Sequence, residues 1–490
     1  MGFLLYDITF LVIASVIGGL FLLKKKKELK RELGIFILYR TQLGVKFINY
    51  VSKKYKKILI SLKYVIIFVS YILMLAVLYY FAITVYRYIR YPIFTELVKS
   101  PPIMLLLPYF PKIFGVQSFF PPFYFTYFII AFLIVATVHE FAHGIFMGHN
   151  KVRIKSTGVV FLGPLPVGAF VEQNEKDMEK KNKTDQMSIL GAGVCSNGLF
   201  AVMFLLVWWG LFSITFVPTG ATFNSYISNL VNVSSISEIG GLPIDNLTNP
   251  ELIEIINESV LTIDLVLDAD GNSINLTKVV ANGKNYYITT EVLKKQLETG
   301  SEYILPYGDF PAIRAGLKGT IIEVDDNKIK TFKDLSEAMR NRKPGEKINV
   351  KTNYKGKILE YNFILSEEPN NKSRGVIGIA NVEFMSIKKI RIDESVANYF
   401  FRTPNTDYKT RSEFLAFLYY LVFWVFGLNL VVAFANMLPF LIFDGGRFFY
   451  LTIWGITKNE KMAEKIYKGL GIIILLSLIL LMVVWFFRII

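Results

Sequence analysis

Histidine, cysteine and charge are all scarce in this chain. Among 490 residues there are three histidines and one cysteine, and Asp, Glu, Lys and Arg together make up 19%. The single cysteine, Cys195, excludes an internal disulfide and leaves the redox compartment open. The shortage of charge goes with 53% hydrophobic and 15% aromatic residues, a balance that points to a membrane. What charge there is has one dominant sign, with a formal net charge of +15. A basic chain can bind nucleic acid, but here the lysines crowd beside an apolar run. Between Lys24 and Lys63 there are 13 Lys and Arg against two Glu. Juxtamembrane lysines beside anionic lipid account for that cluster, so no nucleic-acid partner is expected.

Six segments reach the roughly 18–20 apolar residues needed to cross a bilayer: 2–23, 64–86, 123–147, 197–217, 414–438 and 470–487. The first is too long, and lacks the basic start, for a signal peptide. The basic loop after it is cytoplasmic by the positive-inside rule, which puts the N-terminus outside. Alternating from there, the loop beginning Asn150-Lys151-Val152-Arg153 is inside and the polar stretch 218–412 is outside. The short loop with Lys458, Lys461, Lys465 and Lys468 is inside again. All three cytoplasmic loops are basic, so the topology is self-consistent. Segment 87–122 is an exception to the pattern. Pro101, Pro102, Pro108, Pro111, Pro121 and Pro122 forbid a long helix there, and its apolar residues predict a re-entrant or interfacial segment.

Two of the three histidines stand in His139-Glu140-Phe141-Ala142-His143, at the end of an uncharged apolar run. On a helix, positions i and i+4 share a face, so both imidazoles can bind one zinc. Glu140 is then placed as general base toward a water on the metal. The alternative, two satisfied core histidines, is disfavoured because ionisable groups at membrane depth are costly. His149 falls off the ligand face, which leaves a carboxylate or Cys195 as third ligand. Asp444 is the only acidic residue between Glu413 and Glu460. In the topology above it lies at the same depth as the two histidines. Pro439 breaks the helix before it, and Gly445-Gly446 permit a close backbone approach. Its competing role is a salt bridge to Arg447.

Between the histidines and the next span, 158–172 reads as two β-rich runs around Gly163-Pro164, a hairpin signature. It is too short to span and too apolar for an aqueous loop. A membrane-associated β-hairpin beside the metal, with an unpaired edge, is expected. Gly168, Ala169, Phe170 and Val171 are its candidate substrate-binding residues, by addition of an extended substrate as a further strand. An interfacial hairpin with no substrate role is the alternative.

These motifs resemble those of the site-2 protease family, intramembrane zinc metalloproteases. That family pairs an H-E-x-x-H helix with a later N-x-x-P-x-x-x-L-D-G segment, and Asn436, Pro439, Asp444 and Gly445 fall at its spacing, with Phe443 in place of Leu. Gly168 to Glu172 is similar to the family's strand after the metal helix. Ala192-Gly193-Val194-Cys195-Ser196-Asn197 is similar to its A-G-P-x-x-N opening of the next span, with Val194 for Pro. Arg40 to Gly44 resembles a cytoplasmic segment of archaeal members. The resemblance implies one Zn2+ per chain on His139, His143 and Asp444, Glu140 as the catalytic base, and Asn436 as a contact to the substrate backbone. It implies transmembrane protein substrates, cleaved within the bilayer. A catalytically inactive membrane scaffold is the alternative, with a metal or ion transporter behind it.

In the polar stretch, Phe310 to Ile329 reads as loop, strand and turn, followed by a helix over 331–342 and a strand over 347–352. This order resembles a PDZ domain of the kind many site-2 proteases carry outside the membrane, and 236–257 hints at a second such unit. A protein or peptide ligand for that region is the matching expectation. The expected fold class is therefore a polytopic α-helical membrane protein of about six transmembrane helices, with a β-hairpin and an inserted α+β PDZ-like region. Its parts are 1–122, the N-terminal helices and Pro-rich segment; 123–217 and 399–457, the catalytic core; 218–398, the external region; and 458–490, the last helix.

Overall fold

In the computed structural model, the described residues are 3–32, 36–91, 108–109, 121–244, 249–258, 263–267, 273–381, 405–440 and 443–489. The chain separates into two units. The first holds Met1–Thr215 and Ser412–Ile490, and the second lies between Phe216 and Arg411.

The helices of the first unit are α1 (Phe3–Lys24), α2 (Leu43–Lys54), α3 (Lys56–Arg90), α4 (Phe125–His149), α5 (Glu175–Glu179), α6 (Lys183–Thr215), α7 (Glu413–Ala435), α8 (Asp444–Thr457) and α9 (Glu460–Ile489). Of these, α1, α3, α4, α6, α7 and α9 are long and apolar enough to cross a membrane, so the chain is a multi-pass membrane protein. Three of them begin well before their apolar runs. α3 starts at Lys56 and α9 at Glu460, since Lys and Glu are good helix formers and no proline intervenes. α6 starts at Lys183 rather than 197, which corrects the sequence reading: Ala192 to Asn197 is the interior of a helix and not its opening. With Val194 where the resembling motif has proline, nothing breaks the backbone ladder there. Most of the Pro-rich segment 87–122 lies outside the described residues.

Four strands pack with these helices: β1 (Leu29–Glu32), β2 (Phe36–Thr41), β3 (Ile154–Leu162) and β4 (Leu165–Gln173). They form one antiparallel sheet in the order β1-β2-β3-β4. β3 and β4 turn at Gly163, whose φ of 57° suits a residue without Cβ. The expected hairpin is thus half of a larger sheet, since the basic loop adds β1 and β2 on the far side of β3. Among the described residues β4 is an edge strand, packed against α4.

The core of this unit joins α2, α3, α4, α6 and α8 through Ile48, Ile66, Phe146, Met187, Ile189, Val194, Met437 and Phe448. A polar clasp ties α1 to the start of α4. Asp7 of α1 is fully buried, and its carboxylate accepts bonds from Tyr109 Oη at 2.6 Å, Phe125 N–H at 3.1 Å, and Thr126 N–H and Oγ1 at 2.7 Å each. It thereby satisfies the first N–H groups of α4, where a negative charge also meets the positive end of the helix dipole.

The second unit has two hydrophobic cores, and strand Ser273–Ala281 contributes to both, through Leu276 to one and through Val279 and Ala281 to the other. One lies under a sheet ordered Lys357–Ile364, Lys347–Tyr354, Thr320–Val324, Phe216–Ala221 and Thr406–Thr410, with helix Phe332–Met339 on it. That helix opens with a capping box between Thr331 and Asp334. The loop expected before Thr320 contains a short helix, Pro311–Arg314. The other core gathers strands Ile236–Ile239, Ser273–Ala281 and Lys284–Thr289 with helices Asn249–Glu258 and Thr290–Glu298.

Candidate metal centre

α4 carries His139 and His143 on one face, and both side chains are buried. Asp444 reaches them from the first residue of α8. The chain turns sharply to place it there. α7 ends at Ala435, Asn436 caps it, and the Gly445 N–H donates to the Asn436 carbonyl at 2.6 Å. A Cβ on Gly445 would strike the backbone of Met437, so only glycine lets this turn close. The three ligand atoms then converge. His139 Nε2 and His143 Nε2 are 3.0 Å apart, and Asp444 Oδ2 lies 3.2 Å from each. Among the described residues this is the one cluster of three or more His, Cys, Asp or Glu able to hold a metal ion.

The donor set fits zinc. Tetrahedral coordination at about 2.0–2.1 Å separates neighbouring ligand atoms by about 3.3 Å. The observed separations of 3.0 and 3.2 Å are close to that edge. Two imidazoles and one carboxylate are also the donor types of catalytic zinc sites, which keep a fourth position open.

α6 lines the back of the site. The His143 Nδ1 lies 2.7 Å from the Ile189 carbonyl, which fixes Nδ1–H as its donor and leaves Nε2 for the metal side. Gly193, one turn on, faces both rings. A Cβ there would collide with His143 Nε2 and His139 Cε1. Asn197 follows, its Nδ2 at 3.3 Å from His139 Nδ1.

Glu140 is turned toward the sheet, where its carboxylate accepts the Val171 N–H of β4 at 2.9 Å. A cavity of about 570 Å³ opens on this side, lined by His139, Glu140, His143, Asp444 and Asn436 and by the polar Lys155, Glu172, Gln173 and Glu175. The Ser156 hydroxyl, then Arg40 and Lys155, hold the Glu172 carboxyl below its ordinary pKa against the opposing effect of burial. A second cavity of about 360 Å³ meets His139, Glu140 and Asn436 from another direction. Its other walls are largely apolar: Phe36, Phe132, Val135, Ala136, Val160, Val167, Gly168, Ala169 and Val432.

Of the residues singled out from sequence, His139, Glu140, His143, Asp444 and Asn436 stand together, with Asn436 Nδ2 at 3.4 Å from His139 Nε2. Gly168 and Ala169 line the apolar cavity and Val171 lines the polar one. Phe170 lines neither, and its ring packs over Gly158. Cys195 lies away from the site, its Sγ bonded to the Ile66 carbonyl, and His149 packs on Phe146. Arg447 does not pair with Asp444. It reaches Glu175 and Gln186 at 3.4 and 3.3 Å, tying the start of α8 to α5 and α6. Asn197 and Gly193 acquire site positions that their motif alone did not assign. The usable signal was a polar side chain inside an apolar helix.

The sequence profile of peptidase family M50 matches residues 127–480. Over 69 residues the chain is 42% identical to an uncharacterized protein of Methanocaldococcus jannaschii, a stretch covering 14% of this chain and 19% of that protein. The chain thus spans about a fifth of the length of that relative.

Proposed function

The chain belongs to peptidase family M50, the site-2 protease family, and from that premise we propose that it is a zinc metalloprotease cleaving membrane-spanning proteins within the bilayer. The observation that carries the proposal is the convergence of His139, His143 and Asp444 within 3.2 Å of one another, with Glu140 on the same cavity. Zinc, when bound to these three residues, supplies a Lewis acid that brings the pKa of water toward about 7. The Glu140 carboxylate would accept a proton from the attacking water and deliver it to the leaving amine, first as base and then as acid. Asn436, beside His139, binds the substrate backbone.

A helical substrate shields its own carbonyls, so it must unwind before it can react. Edge strand β4 supplies replacement partners. The Val171 N–H points off the free edge to Glu140, and the two-residue repeat of backbone hydrogen bonding in a strand turns the Ala169 N–H the same way. An extended substrate added there runs along the apolar cavity toward the metal, while the polar cavity admits water. Basic loops support the topology with the metal toward the cytoplasm and the second unit outside. The order of short helix, strand, helix and strand from Pro311 to Tyr354 supports a PDZ-like reading of one core, and the second core supports a further unit of its own. Peptide capture is the role in keeping with it.

The test is a reporter membrane peptide cleaved by the purified chain in lipid vesicles. Cleavage is expected to stop with a zinc chelator and to return with added zinc. Cleavage that ignores the chelator would contradict the proposal.

A further inference from the structure

Asn197 is fully buried on α6, and its Oδ1 has no hydrogen-bond partner among the described residues. Its Nδ2 faces His139 Nδ1 at 3.3 Å. A neutral imidazole carries one N–H. For His139 to offer a lone pair from Nε2 beside Asp444, that proton must sit on Nδ1. An amide presenting its NH2 to this N–H sets donor against donor. Turned half a revolution about its last torsion, the same amide presents Oδ1 instead, with almost no displacement of heavy atoms. The unpartnered oxygen then becomes the acceptor that the metal-binding tautomer requires.

We propose that Asn197 is a positioning residue for the metal: its amide oxygen holds His139 in the Nδ1–H form and fixes the ring for ligation through Nε2. The orientation with Nδ2 toward Nδ1 suits the other tautomer, in which Nε2–H donates to Asp444 Oδ2 at 3.2 Å. An asparagine can serve either state, since one end of its amide donates and the other accepts. His143 needs no such device, because the Ile189 carbonyl accepts from Nδ1–H and cannot donate. Both outer contacts come from α6, so that helix orients the two histidine ligands while α8 brings the third. Such outer partners matter because they set the tautomer and the direction of the lone pair.

The inference rests on the zinc reading of the site, and the test separates the two. Zinc affinity is measured for the purified wild type, Asn197→Leu and Asn197→Asp by competition with a chromophoric chelator, with thermal melting of each metal-free form as the folding control. Asn197→Leu is expected to bind zinc about 10–100-fold more weakly. Asn197→Asp should bind at least as tightly as wild type, because a carboxylate accepts from Nδ1–H and, unlike the amide, has no N–H with which to support the Nε2–H tautomer. Unchanged affinity in the Leu variant overturns the proposal. So does a tenfold loss in the Asp variant, which decides the matter even if the Leu variant fails to fold. A wild type that holds no zinc sinks the metal reading itself.

Discussion

At the scale of single residues, the site is a problem of spacing and of approach. His139 and His143 were legible because i and i+4 on a helix share a face whatever else the chain does. Asp444 was legible because a lone carboxylate in an apolar segment has to be answered for. The Ile189 carbonyl was not, since a backbone acceptor leaves no mark in a sequence. Gly193 was visible as a residue but not as a contact, because only packing shows that α6 presses on the two imidazoles. Gly193→Ala therefore puts a methyl group where His143 Nε2 must be. An overpacked site of this kind costs about 1–3 kcal/mol, expected here as a loss of zinc affinity of about 5- to 150-fold. Metal analysis after gel filtration checks it, and wild-type zinc content in the variant would contradict the packing argument.

Among the elements, β4 stands out. It is bonded to β3 on one side and turns its other edge to α4 and the apolar cavity. The hairpin could be read from two β-rich runs around Gly163-Pro164. Its extension by β1 and β2 could not, because Leu29-Lys30-Arg31-Glu32 has no alternation and lies in a lysine-rich loop. The start of α6 was missed for a related reason: an apolar count cannot see a helix whose first turns are polar, such as Lys183 to Ser188. If β4 pairs with substrate, Ala169→Pro removes one N–H from its free edge and touches no metal ligand. Loss of one backbone hydrogen bond of about 1 kcal/mol lowers cleavage several-fold to tenfold, with zinc content unchanged. Full cleavage of the reporter by this variant would exclude pairing at Ala169.

For the molecule as a whole, the long apolar runs fixed six spans before any contact was known, since a bilayer sets the length of a helix that crosses it. The inserted region was harder. Its two cores are interleaved in sequence, because Phe223, Tyr226 and Leu276 belong with Ala312 to Ile377 while most of the buried residues from Val231 to Ile304 form the other. Short strands of two to nine residues gave little periodicity to read. The membrane core is the part on which function depends. α4, α6, α7 and α8 converge on one small group of polar atoms, among which the protease reading makes Glu140 the group that moves the proton. The most direct measurement is cleavage of a membrane-spanning reporter by the wild type and by Glu140→Gln, each in lipid vesicles and each assayed for zinc. We expect both to hold one zinc per chain, the wild type to cut the reporter, and the variant to fall by at least a thousandfold; general acid–base groups contribute about 10²–10⁴-fold, and here one residue serves both steps. Cleavage by the zinc-loaded variant at the wild-type rate would contradict the account.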